Sequence, residues 1–328
     1  FAPTVPIILD ISEDMGASLD YASLNEELAN LRRALYFDLG VPFPGINIRP
    51  NPGLPELSYV LNVNEIPMSR GKLEKGMVLA RDTSENLSML GVEFKLGERF
   101  LPDVEPLWVP ESKAASLERV GISIMNHARI LAYHLSLLLA RHASSFLGMQ
   151  ESKYLLDKME ERALPTQRIA EIFQRLVQEQ ISIRDLRSIL EALIEWSPKE
   201  KDTVMLTEYV RSALKRQISY MYSKGQNMLP AILLDPSVEE TIRKAIRQTS
   251  AGAFLALDPD TTQRFLRAVT ESAGKYTANT QKPVLMASMD IRRYVRRLIE
   301  GEHYGLPVVS YQEVTPEISI QPVSRIRL

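Results

Sequence analysis

Ser182-Ile-Arg-Asp-Leu-Arg-Ser-Ile-Leu-Glu-Ala-Leu-Ile-Glu-Trp-Ser197 is the stretch that decides the fold. Ile183, Leu186, Ile189, Leu190, Leu193 and Ile194 recur at the spacing of a helix that buries one side. Ser182 with Asp185 reads as the helix start, a weak variant of the capping box, and Ser197-Pro198 as its stop. The same period extends both ways. Downstream, Asp202 opens a helix through Leu206, Val210, Leu214, Ile218 and Met221 to Gly225. Upstream, Thr166 after Pro165 opens one with Ile169, Ile172, Phe173, Leu176 and Val177 on its apolar face. Before that, one long helix covers His127 to Leu147, with Gly148 as its C′ residue. The middle of the chain therefore reads as helical throughout.

Both flanks mix strands with helices. On the N-terminal side, Val5 to Ile11 is strand-like, and Leu24, Leu28, Leu31, Leu35 and Leu39 mark a helix. Pro42, Pro44, Pro50, Pro52 and Pro55 make an irregular loop in which Ile46 to Ile48 forms an edge strand. Leu57 to Val63 is a second strand, and Arg70-Gly71-Lys72 is read as the turn after it. Short strand-like pieces follow at Met77 to Ala80, Val92 to Phe94 and Leu107 to Val109, broken by Pro102, Pro106 and Pro110, which suggests a small inserted module. On the C-terminal side, strands at Ala231 to Leu234, Ala253 to Leu257, Pro283 to Met286 and Leu306 to Tyr311 alternate with helices. Those helices start at Pro236-Ser237, Asp258-Pro259 and Ser288, and the last of them ends at Ile299. This alternation argues a compact α/β unit. The fold class is α+β multi-subdomain. A discontinuous α+β first subdomain (1–79 plus 127–147) carries an inserted small α+β module (80–126), followed by an all-α third subdomain (148–226) and an α/β fourth (227–328).

Composition narrows the functions. The chain has 328 residues, 45% hydrophobic and 24% charged, as in ordinary globular protein. Its net charge of −2 creates no field that favours nucleic acid. With no cysteine there are no disulfides, thiolate nucleophiles or Cys-ligated zinc sites. The longest apolar run, Ile130 to Ala140, is interrupted by His134 and Ser136 and falls short of the about 20 residues a membrane span needs. Because the chain opens on Phe1 rather than Met, it is expected to be a piece of a longer protein.

Catalysis has few footholds. Gly71-Lys72-Leu73 and Gly274-Lys275-Tyr276 both lack the hydroxyl residue of a phosphate-binding loop, and no hydrolase, dinucleotide or zincin motif is present. His127, His134 and His142 share one expected helix at intervals of about 11 Å, too far apart to share a metal, and read as packing residues. His303 stands alone. No catalytic, metal or cofactor residue is assigned. Two charged features remain. Arg292, Arg293, Arg296 and Arg297 form either a solvated helix face or a patch for an acidic protein partner. Arg184, Arg187, Glu191 and Glu195 form a mixed stripe opposite an apolar face, suited to plain exposure or to a head-to-tail subunit contact.

Three stretches carry a family resemblance. The first is His134-Leu135 with Arg141-His142-Ala143, Leu147-Gly148-Met149-Gln150-Glu151 and Leu155-Leu156-Asp157. The second, in closest register, is Val177 to Leu193 with Leu206-Thr207-Glu208-Tyr209-Val210-Arg211. The third is Ile291 to Glu300 with Leu306 to Val314. Together they resemble the cytoplasmic half of the large inner-membrane export-gate protein of bacterial type III secretion, the flagella/HR/invasion proteins export pore family. The resemblance implies a membrane domain outside these residues and a location at the cytoplasmic face of the inner membrane. It also implies a homononameric ring that performs no bond chemistry. The ring's expected partners are chaperone–substrate complexes, a gatekeeper protein and the central stalk of the secretion ATPase. Flagellar members dock chaperones with an Asp-x-x-Phe motif and a threonine before a His-Leu pair. Here Leu101-Pro-Asp103-Val-Glu105-Pro106-Leu-Trp108 lacks the phenylalanine, and Tyr133 replaces the threonine before His134-Leu135, which points to the virulence branch. Asp103, Trp108, Tyr133, Arg292, Arg293 and Arg296 are the expected docking residues, and Arg184, Arg187, Glu191 and Glu195 the expected ring contact. Two rival readings are a helical scaffold unrelated to secretion and an enzyme with a ligand near Asp235 or Asp258 at the strand ends of the α/β unit.

Overall fold

The computed structural model describes residues 3–157, 164–274 and 281–328, so Lys275 and Tyr276 of the second glycine-lysine pair lie outside the described residues. The chain forms two compact units, Phe1–Glu151 and Ser152–Leu328.

The first unit is built on β1 (Ile7–Ile11), which is buried along its whole length. After α1 (Glu13–Ser18) comes α2 (Tyr21–Leu39), whose five leucines at helical spacing are all buried. The Asp20 carboxylate accepts from Ala22 N and Ser23 N to start α2, and left-handed Gly40 ends it. β2 (Asn47–Pro50) lies parallel to β1 on one side, and β3 (Ser58–Val63) antiparallel on the other. Asn64 and Glu65, both at positive φ, then turn the chain into β4 (Ile66–Lys72). Arg70-Gly71-Lys72 is thus part of an edge strand and not a turn. The first sheet runs β2-β1-β3-β4.

A second sheet, ordered β6-β7-β5-β8, contains β5 (Met77–Arg81), β6 (Lys95–Leu96), β7 (Leu107–Pro110) and β8 (Ser123–Met125), with α3 (Ser84–Met89) and α4 (Ala114–Arg119) between strands. Its first strand begins at Met77, so the second module starts earlier than the expected residue 80; Val92–Phe94 is not a strand. Val78, Ala80, Leu87, Leu107, Val109 and Leu117 close its own small core.

The chain then returns as α5 (His127–Arg141), capped by Asn126 Oδ1 on Arg129 N at 2.9 Å and packed on α2. α5 ends before the expected Leu147. A 3₁₀ turn at Ala143–Phe146 tightens the backbone there and lays the Phe146 ring 5.2 Å from that of Phe43.

The boundary between the units falls within α6 (Met149–Leu156), and the second unit continues with helices: α7 (Thr166–Gln178), α8 (Leu186–Trp196), α9 (Thr203–Ala213) and α10 (Lys215–Ser223). α8 starts at Asp185, which caps Ser188 N at 3.1 Å, rather than at Ser182, because Gln180 at φ 63° turns the chain between α7 and α8. The helix expected from Asp202 to Gly225 is broken at Leu214. A parallel sheet ordered β13-β12-β9-β14 completes the unit. It contains β9 (Met228–Leu234), β12 (Val284–Ala287), β13 (Val308–Ser310) and β14 (Ser319–Ile326), with α11 (Pro236–Lys244), α12 (Pro259–Ala273) and α13 (Arg292–Ile299) in the connections. β10 (Ile246–Thr249) and β11 (Gly252–Leu255) form a separate hairpin, so the expected strand at Ala253 stands outside the sheet. The core gathers Ile232, Val238, Phe265, Leu285, Val295 and Ile299 between sheet and helices.

Candidate functional site

In the first unit, a groove of about 640 Å³ opens where residues of β3 and β4 face the segment Lys95–Phe100. Tyr59, Phe100 and Trp108 line it, with Arg70, Lys72, Lys95 and Arg99 adding positive charge and Glu74 and Glu98 negative charge. Phe100 and Trp108 stack with their centroids 6.3 Å apart. Behind the aromatics, buried His134 is held on both ring nitrogens: Tyr59 Oη lies 2.7 Å from Nδ1 and Ser69 Oγ 2.8 Å from Nε2. A neutral ring satisfies both contacts, donating to one hydroxyl and accepting from the other. Burial holds its pKa down at about 4.

Elsewhere in the first unit, Tyr133 donates to the exposed Asp103 carboxylate at 2.7 Å, and the Arg81 guanidinium sits 4.9 Å from the Tyr133 ring centre. Burial, and then the bond to Asp103, pushes the Tyr133 hydroxyl up to about 12. The structure thus joins Asp103 to Tyr133, while Trp108 is a buried wall whose indole fills the space a Cβ on Gly97 would need.

In the second unit, Arg187 and Glu191 form an exposed pair at 2.8 Å on α8, and Glu195 follows one turn on. Arg184 precedes the helix, so the expected four-residue stripe has three members on α8.

The arginine cluster on α13 divides, which corrects its reading as one broad face. Arg292, Val295, Arg296 and Ile299 stand at i, i+3, i+4 and i+7 and all point inward, so Arg292 (1% exposed) and Arg296 (5%) are no docking patch. Arg292 meets Glu208 through Nε and Nη2 and Glu179 through Nη1 and Nη2, with a distance of 2.8 Å in each case. Arg211 grips Glu313, which also accepts from Ser310 Oγ at 2.9 Å. Arg296 donates to the carbonyls of Tyr304 and Leu306, both at 2.9 Å. Three arginines and three glutamates thus neutralise one another inside the unit. Burial raises the Glu179 pKa, but Arg292 and Arg211 outweigh that and bring it down to about 2. Glu179, Glu208, Arg211 and Glu313 were not singled out from sequence. Glu208 and Arg211 stand three residues apart on a side of α9 away from the Leu206–Val210 face, so phase with the apolar residues gave no signal for them.

Asp235 and Asp258 cap α11 and α12 through Ser237 N and Thr261 N. Among the described residues, no group of His, Asp or Glu is placed to hold a metal ion, and no helix is long and apolar enough to cross a membrane. What the groove of the first unit offers is an aromatic surface with a mixed charged rim.

The FHIPEP family model matches residues 1–319. The chain is 49% identical over 338 aligned positions to the low calcium response locus protein D of Yersinia pestis, covering 100% of this chain and 48% of that protein. The chain therefore spans about half the length of the relatives it matches. A solved structure of Chlamydia pneumoniae CdsV in complex with CdsO superposes with a TM-score of 0.93 at 41% identity, covering 100% and 99% of the two chains. The nonameric EPEC SctV-C superposes with a TM-score of 0.81 at 29% identity, covering 99% of each chain.

Proposed function

This chain belongs to the FHIPEP family, and from that premise we propose that it is the docking part of a type III secretion export gate of the virulence branch. It assembles into a homononameric ring at the cytoplasmic face of the inner membrane. There it receives chaperone–substrate complexes, a gatekeeper protein and the stalk of the secretion ATPase, and passes substrates to the export channel. The membrane part lies in residues outside this chain. The observation that carries the reading is the end-to-end likeness to a nonameric relative and to one solved with a bound partner.

The geometry supports separate roles for the two units. The groove of the first unit, with its aromatic lining and mixed charged rim, suits a chaperone surface that buries an apolar side chain. Arg187, Glu191 and Glu195 lie exposed on one helix, where complementary charge sets the register of a head-to-tail neighbour. Binding there needs no catalytic group, and modest single-site affinities multiply in a ring. The test is retention of the cognate ATPase stalk protein by the immobilised chain, with titration of a cognate chaperone–substrate complex. Saturable binding of both is expected, with the chaperone lost on Trp108→Ala or on Tyr133→Ala. Failure of both partners to bind at micromolar concentration would contradict the reading.

A further inference from the structure

Arg293 and Arg297, one turn apart on α13, are the members of the arginine cluster that the interior does not absorb. Among the described residues, neither has a carboxylate within ion-pair distance. Arg293 is half-buried and Arg297 exposed. Together they wall two adjoining cavities of the second unit. One, of about 300 Å³, is also lined by Arg175 and by the neutralised group around Arg292. The other, of about 290 Å³, is mostly apolar, with Phe254, Leu255, Leu257, Tyr294 and Leu298 in its wall. Phe254 stands 47% exposed on the β10–β11 hairpin.

The charges in the first cavity do not balance. Arg292 and Arg296 are matched by Glu179 and Glu208, and Arg175 is held by Glu171 at 2.8 Å. Glu300 faces Arg296 at 3.9 Å and does not reach the outer pair. The surplus is Arg293 and Arg297. Asp202 lies near Arg293 but beyond ion-pair distance, and burial, with Arg175 and Arg297 close by, outweighs the opposing pull of Tyr294 and Asp202 and lowers the pKa of Arg293.

We propose that this double cavity docks a short acidic–apolar segment of a partner protein, two adjacent carboxylates meeting Arg293 and Arg297 and the following apolar side chain entering beside Phe254 and Leu257. Guanidinium forks suit carboxylate pairs, and the exposed aromatic gains from being covered. The proposal does not rest on ring assembly, because every residue it names belongs to one copy of the chain.

The test uses the whole chain and a fluorescein-labelled hexapeptide with two aspartates followed by two leucines, read by anisotropy. Binding that weakens with added salt is expected. Arg297→Glu and Phe254→Ser should each weaken it at least tenfold, as should replacing both aspartates of the peptide by asparagine. Arg264→Glu on α12 should leave it unchanged. Arg297 and Phe254 are exposed, so these variants should keep the parent unfolding profile. Equal binding of the asparagine peptide, no effect of Arg297→Glu, or no binding at millimolar peptide would each overturn the proposal. So would a change of oligomeric state in Arg297→Glu, which would make the site a contact with a second copy.

Discussion

Arg292 on α13 holds Glu208 on α9 through two parallel hydrogen bonds, Nε to Oε2 and Nη2 to Oε1, each of 2.8 Å. Both side chains are inaccessible to water. The same guanidinium reaches Glu179, just past the end of α7, and the carbonyl of Val308 on β13, so one side chain links the helical part of the second unit to its sheet.

Removing one partner leaves a buried charge uncompensated. Glu208→Ala is expected to lower the stability of the second unit by about 3–5 kcal/mol. The double change Arg292→Met with Glu208→Leu should cost less than the sum of the single changes, because the two sites are coupled. Urea unfolding followed through Trp196 in a Trp108→Phe background isolates the second unit. A loss below about 1 kcal/mol for Glu208→Ala would contradict the bond's role.

Acid should loosen the first unit before the second. His134 is neutral in the fold with a pKa of about 4, against an ordinary value of 6.5. The unfolded ring therefore binds a proton that the folded one refuses. Its contribution is complete above pH 6.5 and declines as pH falls toward 4, by up to about 3 kcal/mol. Glu179, depressed to about 2, gives the second unit the same sign in the lower window between 4.5 and 2. Thermal unfolding followed through Trp108 in a Trp196→Phe background should fall in this range. His134→Gln should flatten the slope, and an unchanged slope would refute the assignment.

Gly71 lies opposite Tyr59 across β3 and β4, and the Tyr59 ring occupies the space of any Cβ there. Tyr59 cannot yield easily, since it is buried and its hydroxyl meets His134. Gly71→Ala is expected to destabilise the first unit by about 1–3 kcal/mol. Gly45→Ala, with nothing near its Cβ, serves as the control. Equal melting temperatures for the two variants would count against this packing.

The amphipathic elements were legible in the sequence because their apolar side chains repeat in phase with the backbone. The five leucines of α2 and the inward residues of α7 lie where their spacing puts them. β4 and β14 were not legible. β4 is an edge strand with mostly exposed side chains, and β14 carries Pro322 at a register shift, so neither shows an apolar alternation. The arginine cluster misled for a different reason. Charge suggests surface, and the carboxylates that make burial of Arg292 tolerable come from Glu208 and Glu179, 84 and 113 residues away. Its phase with Val295 and Ile299 was the one local clue. The residues expected to dock partners split in the same way: Tyr133 and Asp103 meet, but their bond joins a helix to a loop thirty residues earlier in the chain.

Ring assembly is the central claim, and mass photometry of the chain across concentration tests it most directly. The account predicts a species of nine protomers that grows as concentration rises. It further predicts loss of that species in Arg187→Glu with unchanged thermal unfolding, since the Arg187–Glu191 pair is exposed and screened by solvent. A closed two-fold dimer at every concentration would contradict it, because an isologous pair uses up the surface that a head-to-tail ring needs.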